Sequence, residues 1–148
     1  MYVSARDERL GLAVWYPSRP TAAEWDQHLK DVEDVIGWSK KLGARPAIML
    51  LANDFERPDA RTRARLTELT GAPDYDPHVA FVNSNAMLRG VLTVFSWMHR
   101  SPNYEMGFLA DEDAGVAWLE ERRKASLPML RTLLYEVRRK SGTAAPLR

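Results

Sequence analysis

The stretch Tyr104-Glu-Met-Gly-Phe-Leu-Ala110, followed directly by Asp111-Glu-Asp-Ala-Gly-Val-Ala-Trp-Leu-Glu-Glu121, decides the fold of this chain. Its first part predicts a strand, Asp111 and the acidic residues after it predict a turn and a helix cap, and the remainder predicts a helix. A strand that passes through a short turn into a helix is the repeating unit of α/β proteins. Three such units follow the first helix of the chain, and none of them carries a catalytic motif.

Residues upstream of this stretch predict the other strands. Alternating apolar residues in Leu10–Tyr16 indicate a strand that pairs with Met1–Ala5 as a hairpin. The apolar runs Pro46–Ala52 and His78–Val82 predict short strands, the first of them central and buried on both faces. Helices separate these strands, which favours an α/β fold with a mixed, largely parallel sheet of about five strands covered by helices.

The helices are recognised by their caps and by apolar residues spaced three and four apart. Thr21 and Glu24 have the spacing of a capping box, which predicts a helix that runs to Leu42 and stops at Gly43. Three further helices are predicted in addition to the one after Asp111: Ala60–Thr70, Ala86–His99, and an amphipathic helix beyond Ser126.

Length and composition bound the class of protein. A chain of 148 residues is long enough for one domain with a single core, and 28% charged residues are typical of a globular protein rather than a disordered one. We expect residues 1–125 to form the main domain. Residues 126–148 are expected to add a C-terminal helix and a basic tail that pack on the same domain.

Charge and cysteine content limit the possible partners and location. The formal net charge of +1 gives no general attraction to nucleic acid or membranes, although residues 122–148 carry +7, from eight basic residues against the single acid Glu136. We interpret most of that charge as basic residues that complement the end of the last helix. Cysteine is absent, the N-terminus lacks the apolar core of a signal peptide, and no apolar run is long enough to span a membrane, so we expect a cytoplasmic protein without membrane insertion.

Three segments together resemble the SpoIIAA-like (STAS/SEC14-like) family: Thr21-Ala-Ala-Glu-Trp25, Val79-Ala-Phe-Val82 and Phe108-Leu-Ala-Asp-Glu-Asp-Ala-Gly-Val-Ala-Trp-Leu119. The resemblance covers about Leu10 to Glu121. It implies a small non-enzymatic regulatory domain that binds a protein or, in the SEC14-related branch, carries an apolar small molecule. One departure matters, because the family's phosphorylatable Asp-Ser-(Ser/Thr)-Gly motif is replaced by Asn53-Asp-Phe-Glu-Arg57, which contains no serine.

The sequence does not predict a catalytic, cofactor or metal site. His28, His78 and His99 lack the spacing of metal ligands, and we interpret them as surface or structural residues. Ser84 is not flanked by the glycines of a nucleophile elbow, and neither a dinucleotide-binding glycine motif nor a P-loop occurs. We interpret Asn83–Asn85 and the acidic residues near the strand ends as turn and helix-capping residues. The alternatives are that the helix start at Ser84 binds an anion or accepts a phosphoryl group, and that Asp54 with Glu56 or Asp111 with Asp113 holds a cation.

We expect the protein to act by protein association, including self-association, through the apolar helix Ala86–His99 and the neighbouring loop Asn53–Pro58. The alternatives are that this helix belongs to the core beneath the last helix, or that it covers a cavity for an apolar small molecule. The candidate interaction residues are Asp54, Phe55, Arg57, Ser84, Leu88, Phe95, Trp97 and Met98.

Overall fold

The structure, a computed structural model, describes residues 1–90 and 103–142. Within these ranges one mixed sheet contains five strands in sequential order, with β1 and β2 antiparallel and all other neighbours parallel. The strands are β1 (Tyr2–Asp7), β2 (Leu12–Pro17), β3 (Ala47–Leu51), β4 (His78–Val82) and β5 (Glu105–Leu109). The predicted α/β class and mixed, largely parallel sheet are confirmed.

The helices lie on both sides of this sheet. They are α1 (Ala22–Val35), α2 (Trp38–Leu42), α3 (Ala60–Thr70), α4 (Glu112–Arg123) and α5 (Pro128–Ser141). Residues 86–90 are also helical, whereas most of the helix predicted to reach His99 lies outside the described residues. No helix in the described ranges combines the length and the apolar character needed to cross a membrane.

The prediction of one helix from Thr21 to Leu42 is wrong. Ile36 leaves the helix in an extended conformation, and Gly37 has φ of +86°, a conformation that glycine adopts without the steric cost of a Cβ. The apolar spacing continues across this break because Trp38 and Leu42 of α2 pack in the same cluster as Val32 and Val35. Periodicity therefore identified the buried side but not the interruption.

The predicted helix caps are confirmed. The Thr21 side chain accepts a hydrogen bond from the Glu24 backbone N–H, and the Glu24 carboxylate accepts one from the Thr21 N–H. The same carboxylate accepts from the Tyr2 N–H at 2.7 Å, so the start of α1 is tied to the edge strand β1. These hydrogen bonds, the one from Thr21 first, lower the pKa of Glu24 to about 2. Asp111 likewise caps α4 by accepting from the Ala114 N–H at 2.7 Å.

Alternating side chains divide the interior into two clusters, one on each face of the sheet. We name the first the aliphatic face; it receives Val14 and Met49 from the strands and is covered by α4 and α5. The second, the aromatic face, receives Trp15 and Ile48 and is covered by α1 and α3.

Candidate functional site

Two pockets lie on either side of the loop that follows β3. The edge pocket, of about 350 Å³, lies at the carboxyl ends of the parallel strands and is lined by Asp54 of this loop. The aromatic pocket, of about 460 Å³, lies on the aromatic face and is lined by Phe55 and Arg57 of the same loop. Adjacent residues of one short loop therefore serve two separate cavities.

The polar groups around the mouth of the edge pocket already have partners. Asp54 Oδ2 accepts hydrogen bonds from the Tyr16 hydroxyl at 3.3 Å and the Ser18 hydroxyl at 3.2 Å. The Ser84 backbone N–H donates to the Asn53 side chain at 2.9 Å. These contacts join the ends of β2, β3 and β4, which explains the polar residues there as parts of the loop structure.

A buried ion pair forms the inner wall of the edge pocket. Arg138 of α5 donates to Oε1 of Glu112, whose side chain is 9% exposed. The other carboxylate oxygen of Glu112 is buried, with no hydrogen-bond partner in the described part of the chain. Burial raises the pKa of Glu112 against the opposing effect of Arg138. Asp111, Glu112 and Asp113 place negative charge at the start of α4, which disfavours an anionic ligand in this pocket.

The aromatic pocket has a different chemistry. It is lined largely by apolar side chains from the sheet and from α1 and α3. These include Trp15, Trp25, Val32, Leu50, Leu66, Tyr75, Val79, Phe81, Tyr104 and Met106. The volume lies within the range of about 300–1,000 Å³ that is usual for small-molecule sites. Such a lining favours an apolar ligand that is removed from water on binding.

His28 is the polar residue buried in the wall of the aromatic pocket. It is 5% exposed, and its ring makes edge contacts with Tyr2, Trp15 and Trp25 at centroid distances of 5.1, 5.2 and 5.7 Å. Its Nδ1 lies 3.1 Å from the Tyr2 hydroxyl, which in turn lies 2.6 Å from Oδ2 of Asp31. Burial lowers the pKa of His28 to about 4, so the imidazole is neutral at pH 7.

Positive charge lies at the opening of the aromatic pocket. Arg57 is exposed, and Arg63 of α3 is partly buried and donates to the Pro58 carbonyl at 2.6 Å. Phe55 is 40% exposed and packs edge-on against Phe81 with centroids 6.0 Å apart. The opening thus combines an accessible aromatic ring with two guanidinium groups.

A third titratable cluster lies at the amino ends of β4 and β5. Glu105 accepts from Arg122 at 2.7 Å and contacts His78 Nδ1 at 3.0 Å, while the Arg122 guanidinium lies 4.7 Å from the ring centre of Trp118. Burial is the first cause that lowers the pKa of His78. Since these groups satisfy one another and line neither pocket, we assign them a structural role.

The predicted interaction residues are divided among several locations. Asp54 and Ser84 line the edge pocket, whereas Phe55 and Arg57 line the aromatic pocket. Leu88 is partly buried within the short helical segment 86–90. The other three predicted interaction residues, which are Phe95, Trp97 and Met98, lie outside the described residues.

Sequence reasoning missed the group formed by Tyr2, His28 and Asp31. A signal was present, because Trp25, His28 and Val32 are spaced for one face of a helix, and Tyr2 and Trp15 are both on predicted strands. The sequence did not show that this helix face meets the hairpin. Within residues 1–90 and 103–142, no group of three or more His, Asp or Glu side chains is arranged to hold a metal ion.

Comparison with known proteins gives no further assignment, since no family model, no curated protein and no solved structure matches this chain.

Proposed function

We propose that the protein binds an apolar small molecule with a negatively charged end in the aromatic pocket. The observation that carries this proposal is the pocket of about 460 Å³, lined by aromatic and aliphatic side chains and flanked by Arg57 and Arg63. A mostly apolar wall with a few placed polar groups is the usual composition of a small-molecule site. The edge pocket is a weaker candidate because most of its polar groups already bond within the protein.

The two arginines are the reason for assigning a negative charge to the ligand. No ion pair joins Arg57 to a carboxylate in the described ranges. Arg63 donates to the Pro58 carbonyl, and its charge also acts on nearby Asp59, whose pKa is lowered first by the Thr62 backbone hydrogen bond. A guanidinium group matches the geometry of a carboxylate or a phosphate. An apolar body inside the pocket with an anionic group at its opening satisfies both parts of the site.

Membership of the SpoIIAA-like family is part of this proposal. The resemblance implies either protein binding or, in the SEC14-related branch, the carriage of an apolar small molecule. The aromatic pocket supports the second of these functions. A general base works best when its pKa is close to the working pH. The pKa of His28 is lowered to about 4 by burial, so His28 is a weak base, which agrees with a non-enzymatic role.

The test uses a fluorescent probe of the proposed chemistry, 8-anilinonaphthalene-1-sulfonate, titrated into the folded protein. Thr67 is exposed on α3 and lines the pocket, so Thr67→Trp is expected to occupy its opening and weaken binding at least tenfold. Ala64→Trp is the matched control, because Ala64 is exposed on the same helix but does not line the aromatic pocket. Equal affinity of both variants, or no binding by the wild type, would overturn the proposal.

Charge provides a second test of the same site. Arg57→Gln is expected to lower the affinity for the anionic probe about threefold to tenfold and to reduce the salt dependence of its binding. Arg61→Gln, an exposed position on α3 outside the aromatic pocket, is the control. Native mass spectrometry of freshly purified protein would identify a molecule that co-purifies.

Protein association remains the second candidate. It is favoured by Met87, which is 81% exposed in the helical segment 86–90. Size-exclusion chromatography with light scattering on wild type, Met87→Asp and Trp97→Asp would test it. A mass above that of the monomer that falls in the variants supports association, whereas a monomer in all three, with no partner recovered by pull-down, counts against it.

A further inference from the structure

Tyr2 and Asp31 determine which of the two ring nitrogens of His28 carries the proton. The Tyr2 hydroxyl lies between Nδ1 of His28, at 3.1 Å, and Oδ2 of Asp31, at 2.6 Å. A carboxylate only accepts hydrogen bonds, so Tyr2 donates its proton to Asp31 and its oxygen accepts from Nδ1–H of His28. The ring proton is therefore on Nδ1, and Nε2 keeps its lone pair.

Nε2 has no internal partner in the described part of the chain. It lies on the side of the ring away from Nδ1, and no described group donates a hydrogen bond to it. His28 is 5% exposed, so the ring is shielded from bulk solvent, yet it lines the aromatic pocket. Nε2 is not among the fully buried side-chain atoms that lack a partner, so water in the aromatic pocket reaches it. A ligand that supplies a donor replaces the hydrogen bond of that water.

We propose that the molecule bound in the aromatic pocket donates a hydrogen bond from a hydroxyl group to Nε2 of His28. This inference rests on the proposed function and narrows its ligand to an apolar alcohol or phenol with a negative charge at the opening. An ammonium donor is disfavoured, because a cation would be desolvated among apolar walls and would face Arg57 and Arg63. His28 is a specificity-determining residue that accepts from the ligand.

The experiment compares two probes of nearly equal shape, 2-naphthol and 2-methylnaphthalene, of which only the first carries a donor. Their dissociation constants are measured by titration calorimetry or by NMR chemical-shift perturbation on wild type, His28→Phe and Tyr2→Phe. The measured quantity is the ratio of the two dissociation constants. A substitution that alters the apolar contacts of the pocket changes both constants alike and therefore leaves their ratio unchanged. Tyr135→Phe is the control, because it removes an exposed tyrosine hydroxyl on α5, away from the aromatic face.

We expect His28→Phe to reduce the relative preference for 2-naphthol about fivefold, and Tyr135→Phe to leave it unchanged. Tyr2→Phe is expected to give a smaller reduction, because the ring remains but the partner that fixes its proton on Nδ1 is lost. Binding of both probes with the same ratio in wild type and His28→Phe would overturn this inference and leave the pocket assignment standing. If neither probe binds to the wild type, both proposals are overturned.

The proton position can be tested without any variant or probe. Two-bond ¹H–¹⁵N NMR spectra of the wild type, labelled at histidine, distinguish the two neutral imidazole forms. We expect His28 to show a protonated Nδ1 and an unprotonated Nε2 at pH 7. The opposite form would overturn the inference, because Nε2 would then be a donor.

Discussion

The two faces of the sheet are filled by different kinds of side chain. The aliphatic face contains fully buried Met49, Leu119, Leu130 and Leu134, and Gly115 brings α4 close to the strands. The aromatic face is built largely from rings, and it retains a pocket of about 460 Å³. Flexible aliphatic chains interdigitate to the density of a crystal, whereas large planar rings pack only in a few orientations. We infer that the aliphatic face supplies most of the stability, while the proposed binding site lies on the aromatic face.

The largest effect is expected when a leucine is replaced by alanine on each face of the sheet and the two losses of stability are compared. Leu134→Ala removes a side chain with no solvent exposure on the aliphatic face, and it is expected to lower the free energy of unfolding by about 3 kcal/mol. Leu50→Ala, at a partly buried position that lines the aromatic pocket, is expected to cost about 1 kcal/mol, because water or neighbouring side chains already border it. Urea unfolding followed by circular dichroism measures both. Equal losses would show that the two faces are packed alike.

The difference between the faces also shows what the sequence could predict. Strand positions, the caps at Thr21 and Asp111, and the central place of β3 depend on neighbouring residues, and pattern alone identified them. The contact of Tyr2 with His28 joins residues 26 positions apart, so it depends on how α1 packs against the hairpin. The loop after β3 was predicted to take part in protein association, and its pattern could not show that Asp54 and Phe55 line different pockets.

The second prediction concerns the acid sensitivity of the aromatic face. The pKa of His28 is about 4 in the folded protein and about 6.5 in the unfolded chain, so the unfolded chain binds the extra proton between these values. The free energy of unfolding therefore does not depend on the His28 proton above about pH 6.5, and it decreases as the pH falls from 6.5 toward 4. The free energy of unfolding should therefore fall by about 2 kcal/mol more between pH 7 and pH 5 in wild type than in His28→Phe.

The variant itself controls for other titrating groups. His78, whose pKa is also lowered, and the carboxylates are present in both proteins, so their effects cancel in the comparison. Urea titrations at intervals between pH 7 and pH 5 give the two curves. Parallel curves would mean that His28 titrates normally in the folded state and that the wall of the aromatic pocket is accessible to water.

A smaller effect is expected where α4 contacts the aliphatic face. A Cβ at Gly115 would lie 2.9 Å from Met49 Cε and 3.1 Å from Val82 Cγ2, both closer than ordinary packing. Overpacking of this kind costs about 1–3 kcal/mol, while alanine in place of glycine within a helix returns about 1 kcal/mol. Gly115→Ala should therefore destabilise the protein by about 1 kcal/mol in urea unfolding. A gain in stability would show that Met49 moves into free space and that the aliphatic face is less densely packed than its burial indicates.

The smallest effect is expected from an ion pair at the margin of the same face. Arg131 of α5 donates to Asp113 of α4, with side chains 46% and 61% exposed, so water competes for both partners. Such pairs contribute about 0–1 kcal/mol, and Asp113→Asn should change the free energy of unfolding by less than about 0.5 kcal/mol. Glu112→Gln is the contrasting variant. The same two helices are joined there by the buried Glu112 carboxylate and Arg138. Removing the carboxylate takes the charge of Glu112 away from the poorly solvated Arg138 guanidinium, so we expect a larger loss of stability than at Asp113. A large effect at Asp113 would mean that ion pairs, rather than aliphatic packing, hold α5 against the rest of the fold.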